Sequence, residues 1–324
     1  MAGNRLEIQQ LTRRYGTRKA VDNVDLHIQA GERLILAGPS GAGKTTLLAM
    51  IATLLPPSAG IVNVDGFQLN RENAAIRGRI GVVFENEILD GRLTIRENLR
   101  VRASFYGLRG SEIEEAVARS AEVTDLAPLL DVRYGRLEEA DRRRADIARA
   151  LLNEPALVLL DDPARGLDAE ASDTILDLVS RLTDMTGAAV LQTARTFDRL
   201  AGADRVGVME NGRILAEGTP TALVDKYADD RLRLVPRPDS VSRETLIRLL
   251  DAEGYHYTAG TSADGPMVEV AIVNSMGALL LVNRIVHLVL RFEMLRGDLG
   301  DACRRILREA KANQPHLHGT EVAS

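Results

Sequence analysis

The chain has 324 residues, 45% hydrophobic and 27% charged, enough for two domains with cores and outside the composition of fibrous or disordered chains. A net charge of −5, aromatics at 3% and the absence of Trp exclude a broad polyanion-binding surface and a base-stacking platform, so no nucleic-acid partner is expected. The single cysteine, Cys303, excludes an internal disulfide framework and a cysteine-rich metal site.

The start, MAGNRLEIQQ, has no apolar stretch, so no signal peptide is expected. VDNVDLHI alternates apolar Val24, Leu26 and Ile28 with polar neighbours and predicts a half-buried strand. RLILAG is a short apolar run entering a Gly-rich turn. KTTLLAMIATLL after it predicts a helix that stops before Pro56-Pro57. IGVVF and PALVLL predict buried strands, and Ser111 with Glu114 predicts a capping box for the helix SEIEEAVARSAEV. RLEEADRRRADIARAL reads locally as a charged surface helix, its acids Glu138, Glu139 and Asp141 at the N-terminus and its bases further along. DAEASDTILDLVSRLTDMTG is a helix ending at Gly187, AAVLQT a strand, and VGVMENGRILAEG a hairpin turning at Asn211-Gly212. This alternation predicts a largely parallel sheet with helices packed on it.

After about Leu223 the texture changes. RLRLV, SRETLIRLLDAEG, YHYTA, MVEVAIV, SMGALLLVNRIV and HLVLRFEML give the order β-α-β-β-α-β, the split ferredoxin-like arrangement. MGALLLVNRIVHLVL is broken by Asn283, Arg284 and His287 and falls short of a membrane span, so a soluble chain is expected. The His residues past the boundary show no metal-ligand spacing with carboxylates.

GPSGAGKT, Gly38 to Thr45, matches the GxxxxGK[ST] phosphate loop between a strand and a helix. Its glycines let backbone N–H groups curl around phosphate oxygens at a helix N-terminus. Lys44 supplies charge for the β- and γ-phosphates, and the Thr45 hydroxyl can ligate Mg²⁺. ALVLLDDP supplies the complement: an apolar strand ending in Asp161, placed to hold the metal.

With these motifs in place, residues 4 to 224 resemble the ATPase subunit of an ABC transporter. RRYGTRKAVDNVDLHIQAGERLILAGPSGAGKTTLLAMIATLLPPSAGIVNVDG is similar to the start of such a cassette. GRLTIRENL resembles the segment after the family's glutamine loop, and ARGLD, Ala164 to Asp168, its D-loop. The chain looks most like the drug-exporter type related to daunorubicin-resistance ATPases, whose permease is a separate chain. The resemblance implies that Tyr15 stacks on adenine and that Gly38, Ser40, Gly41, Gly43, Lys44, Thr45 and Thr46 hold the phosphates. It implies Thr45, Asp161 and Glu85 around Mg²⁺.

Four slots depart from the family pattern. Glu85 stands where the family has glutamine, and LEEAD, Leu137 to Asp141, where it has LSGGQ or LSGGM. Asp162 replaces the catalytic glutamate, and Ala194 replaces the switch histidine. In the family, the signature hydroxyl and glycine amides of one subunit cover the γ-phosphate held by the other. Glu138 and Glu139 would bring carboxylates there, and one like-charge pair at about 4 Å costs about 4 kcal/mol at an effective dielectric of about 20. Asp162 is shorter than Glu by about 1.5 Å, and a misplacement near 1 Å can cost roughly 10²-fold in rate. Ala194 has no group to hydrogen-bond a phosphate.

The expected fold is α/β: an ABC-type P-loop nucleotide-binding domain over 1–225, a small C-terminal α+β (ferredoxin-like) domain over 231–311 and a flexible tail over 312–324. The expected function is an exporter subunit that binds ATP and Mg²⁺ and hydrolyses poorly, with Asp162 a weak base and Glu85 beside it. Its expected partners are a membrane permease chain and a second ABC cassette, identical or different, and its place is cytoplasmic, peripheral on the inner face of the cell membrane. The C-terminal domain is expected to stabilise dimers or tune the cycle. The alternatives are a competent ATPase with Asp162 as base and a soluble ABC protein outside transport. The acidic balance and the single cassette weigh against the latter.

Overall fold

The computed structural model describes residues 3–85, 88–198, 200–262, 265–272 and 275–312, so the expected tail lies, beyond Ala312, outside the described residues. The chain divides into two compact units, Met1–Pro220 and Thr221–Ser324. The division falls a few residues ahead of the boundary read from the sequence.

In the first unit, β1 (Asn4–Tyr15) and β2 (Arg18–Gln29) pair antiparallel, and β3 (Arg33–Ala37) leads through the Gly-rich loop into α1 (Lys44–Ile51). β4 (Ala59–Val64) and β5 (Phe67–Gln68) complete an antiparallel sheet of order β2-β1-β4-β5. α2 (Asn73–Arg79), β6 (Ile80–Val83), α3 (Ile95–Phe105), α4 (Ser111–Val123) and α5 (Glu139–Leu151) follow. Then come β7 (Leu157–Leu160), α6 (Ala169–Thr186), β8 (Ala189–Ala194), β9 (Arg205–Glu210) and β10 (Arg213–Gly218), and α7 (Pro220–Tyr227) begins the second unit. The central sheet has the order β10-β9-β3-β8-β7-β6, parallel except where β10 joins β9.

The periodicities explain these elements. In β2, Val24, Leu26 and Ile28 are buried while Asp25 and His27 are exposed, the alternation of a sheet with one covered face. β3, β7 and β8 are buried throughout, as a parallel sheet covered on both faces requires. Asn211 and Gly212 both take positive φ, 48° and 80°, which matches the twist of the hairpin. α6 ends at Gly187 with φ 70°.

Two local expectations are corrected. α1 ends at Ile51, short of the prolines: Thr53 turns left-handed at φ 63°, and the N–H groups of Leu54 and Leu55 both donate to the Ala49 carbonyl. The capping box of α4 does not form. Gly110 is the N-cap with no side-chain cap, Ser111 is already helical, and Glu114 pairs with Arg100 of α3 at 3.0 Å. The capping box lies instead at α3, where the Glu97 N–H donates to Thr94 Oγ1 at 3.1 Å and the Thr94 N–H donates to Glu97 Oε2 at 2.8 Å. α3, α4 and α5 pack around Leu99, Val117, Leu126 and Ala148 as a helical layer.

The second unit contains β11 (Asp230–Pro236), α8 (Ser240–Ala252), β12 (Tyr257–Ser262), β13 (Gly265–Ile272), α9 (Ser275–Ile285), β14 (Val289–Leu295) and α10 (Leu299–Ala312). Its sheet has the order β12-β13-β11-β14 with every pair antiparallel. This is the ferredoxin-like arrangement read from the sequence. Leu232, Leu234, Val268 and Val270 form a core with Leu246 and Leu250 of α8 and Leu281 and Ile285 of α9.

Candidate nucleotide-binding site

The parallel ladder brings the functional residues together. Ala37 of β3 registers with Ala194 of β8, and Gln192 of β8 with Leu160 of β7, so the carboxyl ends of these strands open at one edge. Ligands of open α/β sheets bind at such an edge. The Gly38 N–H donates to the Ala194 carbonyl at 3.1 Å, fixing the start of the loop. A Cβ on Gly38 would stand 2.1 Å from the Met209 carbonyl oxygen, and one on Gly43, at φ 108°, 2.2 Å from that of Ala20. Only glycine fits at either position.

The loop borders a cleft of about 410 Å³ lined by Tyr15, Ser40, Gly41, Gly43, Lys44, Thr45 and Thr46, with Arg18, Asp161, Thr193 and Arg195 opposite. Every phosphate-loop residue named from the sequence except Gly38 thus borders the cleft. Lys44 is buried, and its ammonium donates to the carbonyls of Gly38 at 2.6 Å and Pro39 at 2.9 Å. Burial, then the nearby Arg195 cation, holds its pKa below the ordinary value. Tyr15 is half-exposed, with the Arg13 guanidinium 4.8 Å from its ring centroid. Cation–π contact supports the ring on that side.

Asp161 follows β7 directly. Its Oδ1 accepts from the Thr193 hydroxyl at 2.6 Å, while its buried Oδ2 has no hydrogen-bond partner in the protein. Buried carboxylate oxygens are ordinarily satisfied. Asp161 borders the cleft together with Thr45, and a carboxylate beside a hydroxyl could hold a hard divalent cation.

Glu85 and Asp162 belong to a charged cluster beside the cleft, and neither lines it. The Glu85 carboxylate is ion-paired to the guanidinium groups of both Arg195 and Arg165. Arg195 Nε also lies 3.1 Å from Asp162 Oδ2. Asp162 itself has φ 49°, its N–H donates to Thr193 Oγ1 at 3.0 Å, and it borders a second cavity with Gln192, Ala194 and Asp168. Burial raises its pKa above the ordinary value, and Arg195 opposes that rise. The four positions Glu85, Asp162, Arg165 and Arg195 are therefore one charge network.

Sequence reading missed Arg165, Thr193 and Arg195. The available signal was LQTAR, where an apolar strand ends in a threonine and an arginine flanking Ala194. The arginine run of α5 is also less superficial than its local reading. Arg143 is buried and donates to the Phe84 carbonyl at 3.2 Å, and Arg149 donates to that of Val82 at 2.6 Å. Glu138 and Glu139 are exposed at the helix start, and Asp141 pairs with Arg144 at 3.3 Å.

Residues 21–165 match the family described as ABC transporter. The Nod factor export ATP-binding protein I of Paraburkholderia xenovorans is 32% identical over 277 residues, 80% of this chain and 90% of that one. The chain belongs to the ABC transporter ATP-binding family. The cassette is also 36% identical over 252 residues to the daunorubicin/doxorubicin resistance ATP-binding protein DrrA of Streptomyces peucetius, covering 76% of this chain and 75% of that one. Against the Nod factor export ATP-binding protein I of Sinorhizobium fredii it is 36% identical over 224 residues and spans 64% of that relative. The dimeric structure of MJ0796, a bacterial ABC transporter cassette, superposes with a TM-score of 0.59 at 27% identity, covering 66% of this chain and 98% of that one.

Proposed function

We propose that this cassette binds ATP with Mg²⁺, hydrolyses it slowly, and serves as the ATP-binding subunit of an exporter. The relatives named for Nod factor export and daunorubicin resistance support the export role. Tyr15 would stack on adenine, the loop amides and Lys44 would hold the phosphates, and Thr45 and Asp161 would hold the ion. Mg²⁺ would neutralise phosphate charge. Among the described residues no helix is long and apolar enough to cross a membrane. By its likeness to those relatives, the subunit would work on a separate permease, at the inner membrane face, paired with a second cassette.

The observation that carries slow turnover is the Arg195 bridge. A general base must reach its water with a free lone pair. Here Asp162 faces the Arg195 guanidinium at 3.1 Å, and Glu85 is shared by two guanidinium groups. Freeing either carboxylate breaks a partly buried ion pair. The acidic start of α5 adds like charge where the family's signature would meet a second nucleotide. One observation favours the competing reading of a competent ATPase: the raised pKa of Asp162 makes its carboxylate a stronger base once Arg195 moves. ATP binding and phosphate release by the purified chain, with Lys44→Ala as control, separate the two. Lys44-dependent binding with negligible release supports slow turnover; Lys44-dependent release at ordinary enzyme rates removes it.

A further inference from the structure

β14 ends its sheet, and among the described residues no strand pairs with its outer edge. Its register sets Phe292 opposite Leu234 and Met294 opposite Leu232 on β11. Directly paired residues share a face, so Phe292 and Met294 continue the row of the buried Leu232 and Leu234. Yet Leu290, Phe292 and Met294 are 67%, 49% and 37% exposed. The register with β11 is continuous from Arg291 to Leu295 and shifts only between Arg291 and Val289, at the start of the strand, and the strand contains no Pro or Gly. Open edges are ordinarily blunted by such devices. The charged residues Arg291 and Glu293 alternate with this apolar row on the opposite face.

We infer that β14 pairs antiparallel with the β14 of a second copy of this chain, across a two-fold axis at Phe292. That register sets Phe292 against Phe292, Leu290 against Met294, and Arg291 against Glu293 twice. Every cross-strand pair is then apolar with apolar or cation with anion. Centring on Arg291 or Glu293 opposes like charges, as does a parallel in-register pairing. A one-residue slip sets apolar against charged side chains. The edge is self-complementary in one register, as an isologous two-fold contact demands. Glu293 already touches Arg233 at 3.3 Å, but Arg233 also pairs with Glu269 at 2.8 Å, and the Glu293 side chain stays 55% exposed to meet a second guanidinium. The two sheets join into one, and the edge is closed.

The contact is tested on the full-length chain without nucleotide, so that ATP-driven association of the cassettes contributes nothing. Sedimentation at micromolar concentration is expected to give twice the mass of one chain. Arg291→Glu and Glu293→Arg each place like charges across the axis, so each variant alone is expected to be a monomer. Mixed, they are expected to restore a dimer containing one of each, because one chain then presents two acids and the other two bases. Phe292→Cys is expected to cross-link under mild oxidation, while Leu280→Cys on the exposed face of α9 does not; Cys303 is buried and does not compete. A wild-type monomer, a mixture that stays monomeric, or cross-linking at Leu280→Cys in place of Phe292→Cys would overturn the pairing. ATP binding is untouched by either result.

Discussion

Two halves of one sheet edge are built on opposite principles. On the phosphate side, the polar groups wait: Lys44 rests on the carbonyls of its own loop, and Asp161 keeps a buried oxygen without a partner. On the turnover side the charges are already spent on one another, Glu85 with Arg165 and Arg195, Asp162 with Arg195. Unsatisfied buried groups disfavour the empty state and so favour a ligand that completes them. Satisfied ones oppose rearrangement. On the proposed reading, the contrast separates holding nucleotide from turning it over: one set of groups is left open to a ligand, the other is held in ion pairs.

The largest test attacks the waiting half. Lys44→Ala is expected to remove about 2–5 kcal/mol of ATP binding, roughly 30-fold and upward in Kd. Equilibrium dialysis with labelled nucleotide measures it, and an unchanged Kd would mean that ATP is held elsewhere. The next test rebuilds the other half. Asp162→Glu with Ala194→His restores the family's base and switch groups, and phosphate release is expected to rise on the order of 10²-fold. No rise would transfer the blame to Glu138 and Glu139. A smaller change sharpens the comparison further. Arg195→Ala frees Asp162 without lengthening it and leaves Glu85 paired with Arg165 alone, and release is expected to rise about 10-fold, below what a well-placed base supplies. A fall would make Arg195 a group that helps the phosphates.

The legible parts of this molecule share one property: their cause is local. The phosphate loop is a run of adjacent residues, the Asn211-Gly212 turn needs two positive φ angles, and the order of the second unit follows from successive periodicities. Asp161 was legible as the end of an apolar run. Arg195 was not, because its partner Glu85 lies 110 residues away and no periodicity couples the two. The contact appears only when β8 and β6 flank β7. The α4 cap failed for another reason. Ser111 and Glu114 have the right spacing, but Gly110 at φ 54° starts the helix one residue early. Spacing cannot register a backbone turn that only glycine takes readily.

The smallest expected effect is one of pH, and it asks whether the Arg195 bridge stabilises the fold. Burial raises the Asp162 pKa in the folded chain above its ordinary value, against the pull of Arg195. A carboxyl group so shifted binds its proton more tightly folded than unfolded. Its contribution to stability is thus fully present below the ordinary Asp pKa, declines as pH rises through the raised value, and is absent at neutral pH. There the fold bears a charged carboxylate that is less well solvated than in the unfolded chain. Asp162→Asn removes that burden along with the pair to Arg195. Without nucleotide, the variant is expected to melt about 1–3 °C above the wild type at neutral pH, the gap closing as the pH falls towards the ordinary Asp range. Melting curves on both proteins at matched ionic strength measure it. A variant that melts lower at neutral pH, with the deficit shrinking in acid, would show that the bridge outweighs burial. The turnover half would then be a clamp contributing to the fold, and the rise expected from Arg195→Ala would come with a loss of stability.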